Sequence, residues 1–175
     1  MCASDSDRLD MVAAARTLPA AWLAAGLLAL SSGCVSMELP EPFVVLSRST
    51  KELKAVTPED ARIWVRIRSV AANTNLAFWS KLLENEFARN RGYTLIEGPK
   101  DIADGNGVPG KEYVFEVTAQ GLPQRYLLAV FVIDDRVLGF LWLRKKVCTV
   151  EFVAPKDDFA LLVEAVRKGI GTLDP

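Results

Sequence analysis

Between residues 111 and 154 the sequence offers four apolar runs in close succession and almost no chain to connect them. The runs are 111–119, 125–133, 136–144 and 147–154, and the separators are 120–124, Asp134-Asp135 and Lys145-Lys146. A parallel neighbour needs a crossover of about a dozen residues, so connections this short predict antiparallel hairpins. Residues 126–133 (YLLAVFVI) and 137–143 (VLGFLWL) are apolar on both faces instead of alternating. Strands of that kind are covered on both sides, which calls for helices above and below the sheet.

The rest of the chain supplies them. Residues 43–47 (FVVLS) read as a short strand. Thr57-Pro58-Glu59-Asp60 has the form of a capping box with proline at the first helical position, which predicts a helical turn. From 62 to 70 the pattern alternates, with Ile63, Val65 and Ile67 on one face and Arg62, Trp64, Arg66 and Arg68 on the other. Period two with β-branching predicts a strand with one buried face. After a cap at Asn73 or Asn75, Leu76, Trp79, Leu83 and Phe87 recur at helical spacing, with Phe78 and Leu82 broadening the stripe, and Gly92 closes that helix. A strand at 93–97 and a Gly/Pro/Asp-rich loop at 98–110 follow. Pro155 introduces a last helix, with Asp157 and Asp158 in its first turn and Phe159, Leu162, Val163, Val166 and Ile170 as its apolar stripe. The expected order is β-β-α-β-β-β-β-β-α. The fold class is α+β, an antiparallel sheet with helices on both faces, in a single domain spanning 43–175.

The first 33 residues read as an address. Residues 18–30 (LPAAWLAAGLLAL) form an uncharged apolar run of 13 residues, and Ser31-Ser32-Gly33-Cys34 follows. That run is short for a membrane span and fits a signal-peptide core. The pattern resembles the lipobox of bacterial lipoproteins, although Ser31 stands three places before the cysteine where that family usually has leucine. The resemblance implies cleavage before Cys34 and lipidation of Cys34 with diacylglyceryl and acyl (palmitate-type) chains. An ordinary secretory signal or an uncleaved anchor is the alternative. Val35, in place of the aspartate that retains such lipoproteins at the inner membrane of Gram-negative cells, implies the outer membrane facing the periplasm. Asp5, Asp7 and Asp10 stand against Arg8 in the first ten residues, whereas a signal peptide begins with positive charge. The expected true start is therefore Met11. Residues 34–42 are expected to form a lipidated tether with two prolines, reaching roughly 26 Å at most.

The order of elements resembles the Mog1/PsbP-like fold, an α/β/α sandwich, over residues 43–173. Its local marker is the strand Val150-Glu151-Phe152-Val153-Ala154, the turn at Pro155 and a helix carrying Phe159. Members of that fold family mostly act as binding or assembly factors, so the resemblance implies a non-enzymatic role.

Chemistry is sparse in the residues themselves. The chain has no histidine, which removes His-dependent triads and His-ligated metal sites. Without residues 1–33, which carry Arg8 and Arg16 against Asp5, Asp7 and Asp10, 19 basic and 19 acidic residues remain. A balance of that kind argues against a nucleic-acid partner. Residues 105–110 (GNGVPG) spell G-x-G-x-x-G, but a strand follows where a dinucleotide fingerprint needs a helix. Asp101, Asp104 and Glu112 have the outer spacing of a calcium loop without its inner ligands. Cys148 shares a strand face with Val150 and Phe152 and reads as a buried hydrophobe, leaving no disulfide framework. No catalytic residue, metal site or cofactor is expected.

The surface singled out for binding is Arg62, Trp64, Arg66 and Arg68, basic groups flanking an aromatic and suited to phosphate, anionic glycan or an acidic strip. The expected function is a membrane-anchored envelope lipoprotein acting as a binding or scaffolding module for an envelope protein. The alternative is a carrier of a lipid or small hydrophobic ligand in a cavity lined by Trp79, Phe87 or Trp142. An enzyme without a recognisable motif is the third reading.

Overall fold

The computed structural model describes residues 34–119, 121–137 and 142–175. The signal-peptide reading of residues 1–33 and the start at Met11 lie outside the described residues. Seven strands form one antiparallel sheet: β1 (Val44–Arg48), β2 (Glu52–Val56), β3 (Arg62–Val70), β4 (Thr94–Ala103), β5 (Pro109–Ala119), β6 (Leu122–Val137) and β7 (Trp142–Pro155). Their spatial order is β1-β2-β3-β7-β6-β5-β4. Helix α1 (Leu76–Asn85) runs directly into a π-helical turn, Glu86–Asn90, and α2 (Lys156–Ile170) closes the chain.

Each face of the sheet has its own core. On one side Ile63, Val65, Phe131, Val150 and Phe152 pack against Phe159, Val166 and Ile170 of α2. On the other, Phe115, Tyr126, Leu128 and Val130 pack against Phe87, with Leu76, Trp79 and Leu83 of α1 around them. The α+β class with helices on opposite faces is therefore observed. The doubly apolar stretch 126–131 is buried between the two cores.

Several strand boundaries differ from the sequence reading, each for a physical reason. Thr57 to Asp60 is the turn of the β2–β3 hairpin, not a helical turn. Thr57 and Ala61 pair through the backbone (Thr57 N–H to Ala61 O, 2.9 Å). Thr57 Oγ1 accepts from Ala61 N–H at 3.2 Å, and Asp60 takes φ +67°. A capping box and this turn use the same residue types, and β2, the omitted strand, decides between them.

Asp134-Asp135 and Lys145-Lys146 are not turns either. The register pairs Asp134 with Lys145 and Asp135 with Arg144 within one long β6–β7 hairpin, and Lys145 Nζ lies 3.7 Å from Asp134 Oδ1. Residues 98–103, expected in a loop, continue β4 after bulges between Leu95 and Lys100. An edge strand accommodates Pro99 and bulges that an interior strand would not. Phe78 and Leu82 face outward from α1, at 53% and 44% exposure, and do not broaden its buried stripe.

The segment expected as a free tether is part of the domain. Val35 and Met37 are buried in the α2-side core, Ser36 bridges Asp174, and Glu38 N–H donates to Thr172 Oγ1 at 2.9 Å. Gly169 of α2 lies directly against the Glu38 carbonyl, where a Cβ would collide with it. Residues 35–38 are thus fixed against the domain.

Candidate binding groove beside helix α1

Strand β3 turns Ile63, Val65 and Ile67 into the α2-side core, which obliges Arg62, Trp64, Arg66 and Arg68 to face the α1 side. Helix α1 packs over β5 and β6 and leaves this β3 face partly open. Between the two lies a groove of about 210 Å³, lined by Arg66, Arg68, Trp79, Leu83, Glu86, Phe87, Arg91, Val147, Thr149 and Glu151.

The four residues proposed from sequence stand in four different settings. Arg62 stands at the far end of β3 and pairs with Asp60, its Nη2 2.6 Å from Oδ1. Trp64 is covered by two cations, Lys54 Nζ at 4.6 Å and the Arg66 guanidinium at 4.1 Å from the ring centre. Arg66 enters the groove and pairs with Glu151, which is buried and also accepts a hydrogen bond from the Tyr126 hydroxyl. Arg68 is exposed and forms no ion pair among the described residues.

Three guanidinium groups consequently meet two carboxylates. Burial lowers the pKa of Arg66, and the neighbouring charges of Arg68 and Arg91 push it the same way. Burial also raises Tyr126 well above the usual phenol range, with Arg91 and Arg66 pulling against it. On the helix side the π-helical turn sets Glu86 beside Arg91 at 3.2 Å and beside Asn90 at 2.6 Å. Arg91 also lies over the Phe87 ring at 4.5 Å. Hydrogen bonds from Asn90 and then Arg91 hold the Glu86 carboxyl below its usual value.

Both carboxylates of the groove are therefore occupied by arginines. Two buried donors lining it, Trp79 Nε1–H and Arg66 Nε–H, have no acceptor among the described residues. With Arg68 added, the groove offers spare donors and positive charge beside an apolar wall of Trp79, Leu83 and Phe87. Such an arrangement suits an acceptor-rich anionic group with apolar atoms attached.

The sequence placed Trp79 and Phe87 in a cavity, and both line this one; the side chain of Trp142 lies outside the described residues. Arg91, Glu86, Thr149 and Glu151 were missed. Trp79, Leu83, Phe87 and Arg91 recur at every fourth residue, a spacing that points to Arg91. Glu151, a lone charge in an apolar strand, signals an opposite charge on a neighbouring strand.

Other candidate chemistry resolves into structure. Cys148 is a buried free thiol whose pKa burial pushes up to about 12. Asp104 Oδ1 accepts from the backbone of Asn106 and Val108 at 2.9 and 2.8 Å, closing the glycine-rich loop. Glu112 is taken by Arg167, which also reaches Glu97 and Glu164. Burial works to lower the Arg167 pKa, yet the hydrogen bonds to Glu112 and Glu164 more than reverse it. No cluster of three metal-ligating side chains occurs among the described residues.

No family model matches the chain, and no curated protein matches it. Among solved structures it is similar to LpqN of Mycobacterium tuberculosis, described as involved in cell envelope biogenesis. The two share 14% identity at a TM-score of 0.65, over 82% of this chain and 85% of that one. A protein of Bacteroides thetaiotaomicron aligns at a TM-score of 0.46 and 13% identity, over 80% of this chain and 44% of its own. At such identities the likeness to LpqN is one of fold, a sandwich of the same general α+β kind.

Proposed function

We propose that this protein is a non-enzymatic binding module of the cell envelope, attached to a membrane at its N-terminus, and that the groove beside α1 is where it holds its partner. The observation that carries this reading is the pair of unmatched donors, Trp79 Nε1–H and Arg66 Nε–H, in one groove with Arg68. Buried donors are stabilised by an acceptor, and a carboxylate or phosphate supplies several. The occupant favoured first is an acidic, partly apolar segment of an envelope protein. The fold shared with an envelope-biogenesis protein is compatible with that role. Membrane attachment rests on the apolar run 18–30 and the lipobox-like residues ending in Cys34. Acylation of Cys34 and outer-membrane sorting through Val35 belong to the same reading.

A second reading is favoured by the apolar wall of Trp79, Leu83 and Phe87: carriage of a small anionic amphiphile, head on Arg68 and tail along α1. The test separates the two. The full-length chain is crosslinked in its own envelope, alongside Arg68→Glu and, as a control outside the groove, Arg62→Glu. The module reading expects a defined crosslinked protein that Arg68→Glu loses and Arg62→Glu keeps. Arg66 is a poor choice for reversal because it holds the buried Glu151. Absence of such a protein, with an amphiphile in the solvent extract of the purified chain, establishes the carrier instead. Absence of both overturns the groove as a binding site.

A further inference from the structure

The two edges of the sheet are guarded unequally. β4 carries Pro99, bulges and the charges of Glu97, Lys100 and Asp101, devices that keep another chain from pairing with an edge. β1, at the other edge, has no proline, one bulge and a single charge, on its last residue, Arg48. Val44, Val45 and Leu46 are exposed there at 61%, 40% and 67%. Beyond its ladder with β2, β1 makes no backbone hydrogen bond among the described residues. The N-terminal segment does not pair with this edge, because Ser36 and Glu38 bond to Asp174 and Thr172 instead.

The register also fixes the faces of β1. Val45 stands opposite Ala55 and Arg48 opposite Leu53, both residues of the α2-side core, so Arg48 lies on the α2 face. Arg48 is exposed and forms no ion pair among the described residues. At the other end of the strand Val44 pairs with Val56, next to the β2–β3 turn. Beside that end, against α2, lies a groove of about 320 Å³ lined by Pro42, Thr57, Glu59, Asp158, Leu161 and Leu162. Neither Glu59 nor Asp158 is ion-paired among the described residues, and Leu161 is exposed. One face of this edge thus carries an unpaired cation at one end and two unpaired carboxylates beside apolar surface at the other.

We propose that β1 is a self-association edge, where two copies of this chain pair β1 with β1 antiparallel about a two-fold axis normal to the sheet. Such an axis reverses the strand and keeps its faces. Arg48 of one copy therefore arrives at the Val44 end of the other, at the mouth of its acidic groove, and the reciprocal pair forms at the same time. The new ladder takes up the outward N–H and C=O groups and covers part of Val44, Val45 and Leu46. The stem of Arg48 lies along Leu161 while its charge meets Glu59 and Asp158. Any extended chain can pair with the backbone of an open edge, but this edge supplies both halves of the charge match itself, which selects a second copy. The pairing leaves the groove beside α1 open, since β1 is separated from β3 by β2.

The experiment is sedimentation equilibrium of the full-length chain in density-matched detergent over a series of protein concentrations. The wild type is expected to show a monomer–dimer equilibrium. Arg48→Glu and Glu59→Arg each set like charges together at both ends of the two-fold and should raise the dissociation constant about tenfold or more. The double variant Arg48→Glu/Glu59→Arg restores opposite charges and should return it close to the wild-type value. Val44→Lys/Leu46→Lys should abolish the dimer, because charge on exposed edge positions opposes a second strand. Circular dichroism melting of each variant separates misfolding from lost pairing. A wild type that stays monomeric throughout overturns the proposal, and so does a dimer that Val44→Lys/Leu46→Lys leaves intact. A double variant that binds no tighter than the single ones overturns it as well, since the charge match requires the antiparallel pair.

Discussion

Glu151 sits where two strands and one aromatic ring converge, and its carboxylate is the hinge of the groove's electrostatics. It pairs with Arg66 from β3 and accepts the Tyr126 hydroxyl from β6 while remaining buried. Removing one partner of a buried pair leaves the other charge desolvated and uncompensated. Glu151→Ala is therefore expected to destabilise the domain by about 3 kcal/mol, read as a fall in the urea midpoint at unchanged slope. Arg68→Ala should leave stability within about 0.5 kcal/mol, because Arg68 is exposed and unpaired, while weakening the groove's hold on an anion. The alternation of β3 made the Arg face legible from sequence. That Arg66 would spend its charge on Glu151 was not legible, since 85 residues of chain separate them and the β3–β7 pairing brings them together.

Helix α1 carries one wall of the groove, and its start is set by a single side chain. Asn75 has extended backbone, φ −141° and ψ 172°, and its side-chain oxygen accepts from Phe78 N–H at 2.9 Å. Asn75→Ala should cost about 1 kcal/mol in urea denaturation, and the same change at Asn73 much less. The sequence offered both asparagines and the apolar stripe behind them. It gave no sign of the π-helical turn, because one extra residue per turn alters no residue type, only the pairing of Arg91 N–H with Glu86 O. The hairpin at Thr57 to Asp60 makes the same point for turns. Threonine, proline and acidic residues serve a helix start and a tight β-turn alike, and only the strands on either side choose.

The N-terminal segment binds the whole molecule together. Val35 and Met37 fill the α2-side core, and Ser36 and Glu38 bond to residues at the C-terminus. Met37→Ala is expected to lower stability by about 2–3 kcal/mol in the same assay, whereas a free tether would be indifferent to the change. Two prolines and a short polar stretch had made this segment look like a linker, and its apolar residues are too few to show periodicity.

Periodicity is a relation between near neighbours, so the sequence alone determined the presence of α1 and α2, the two faces of β3, the antiparallel sheet class and the burial of Cys148. Strand ends, the pairing of Asp134 with Lys145 across β6 and β7, the docking of residues 35–39 and the meeting of Arg66, Arg91, Trp79 and Glu151 were decided only by tertiary structure. Each depends on groups far apart in the chain, whose energies arise only after burial removes water from between them.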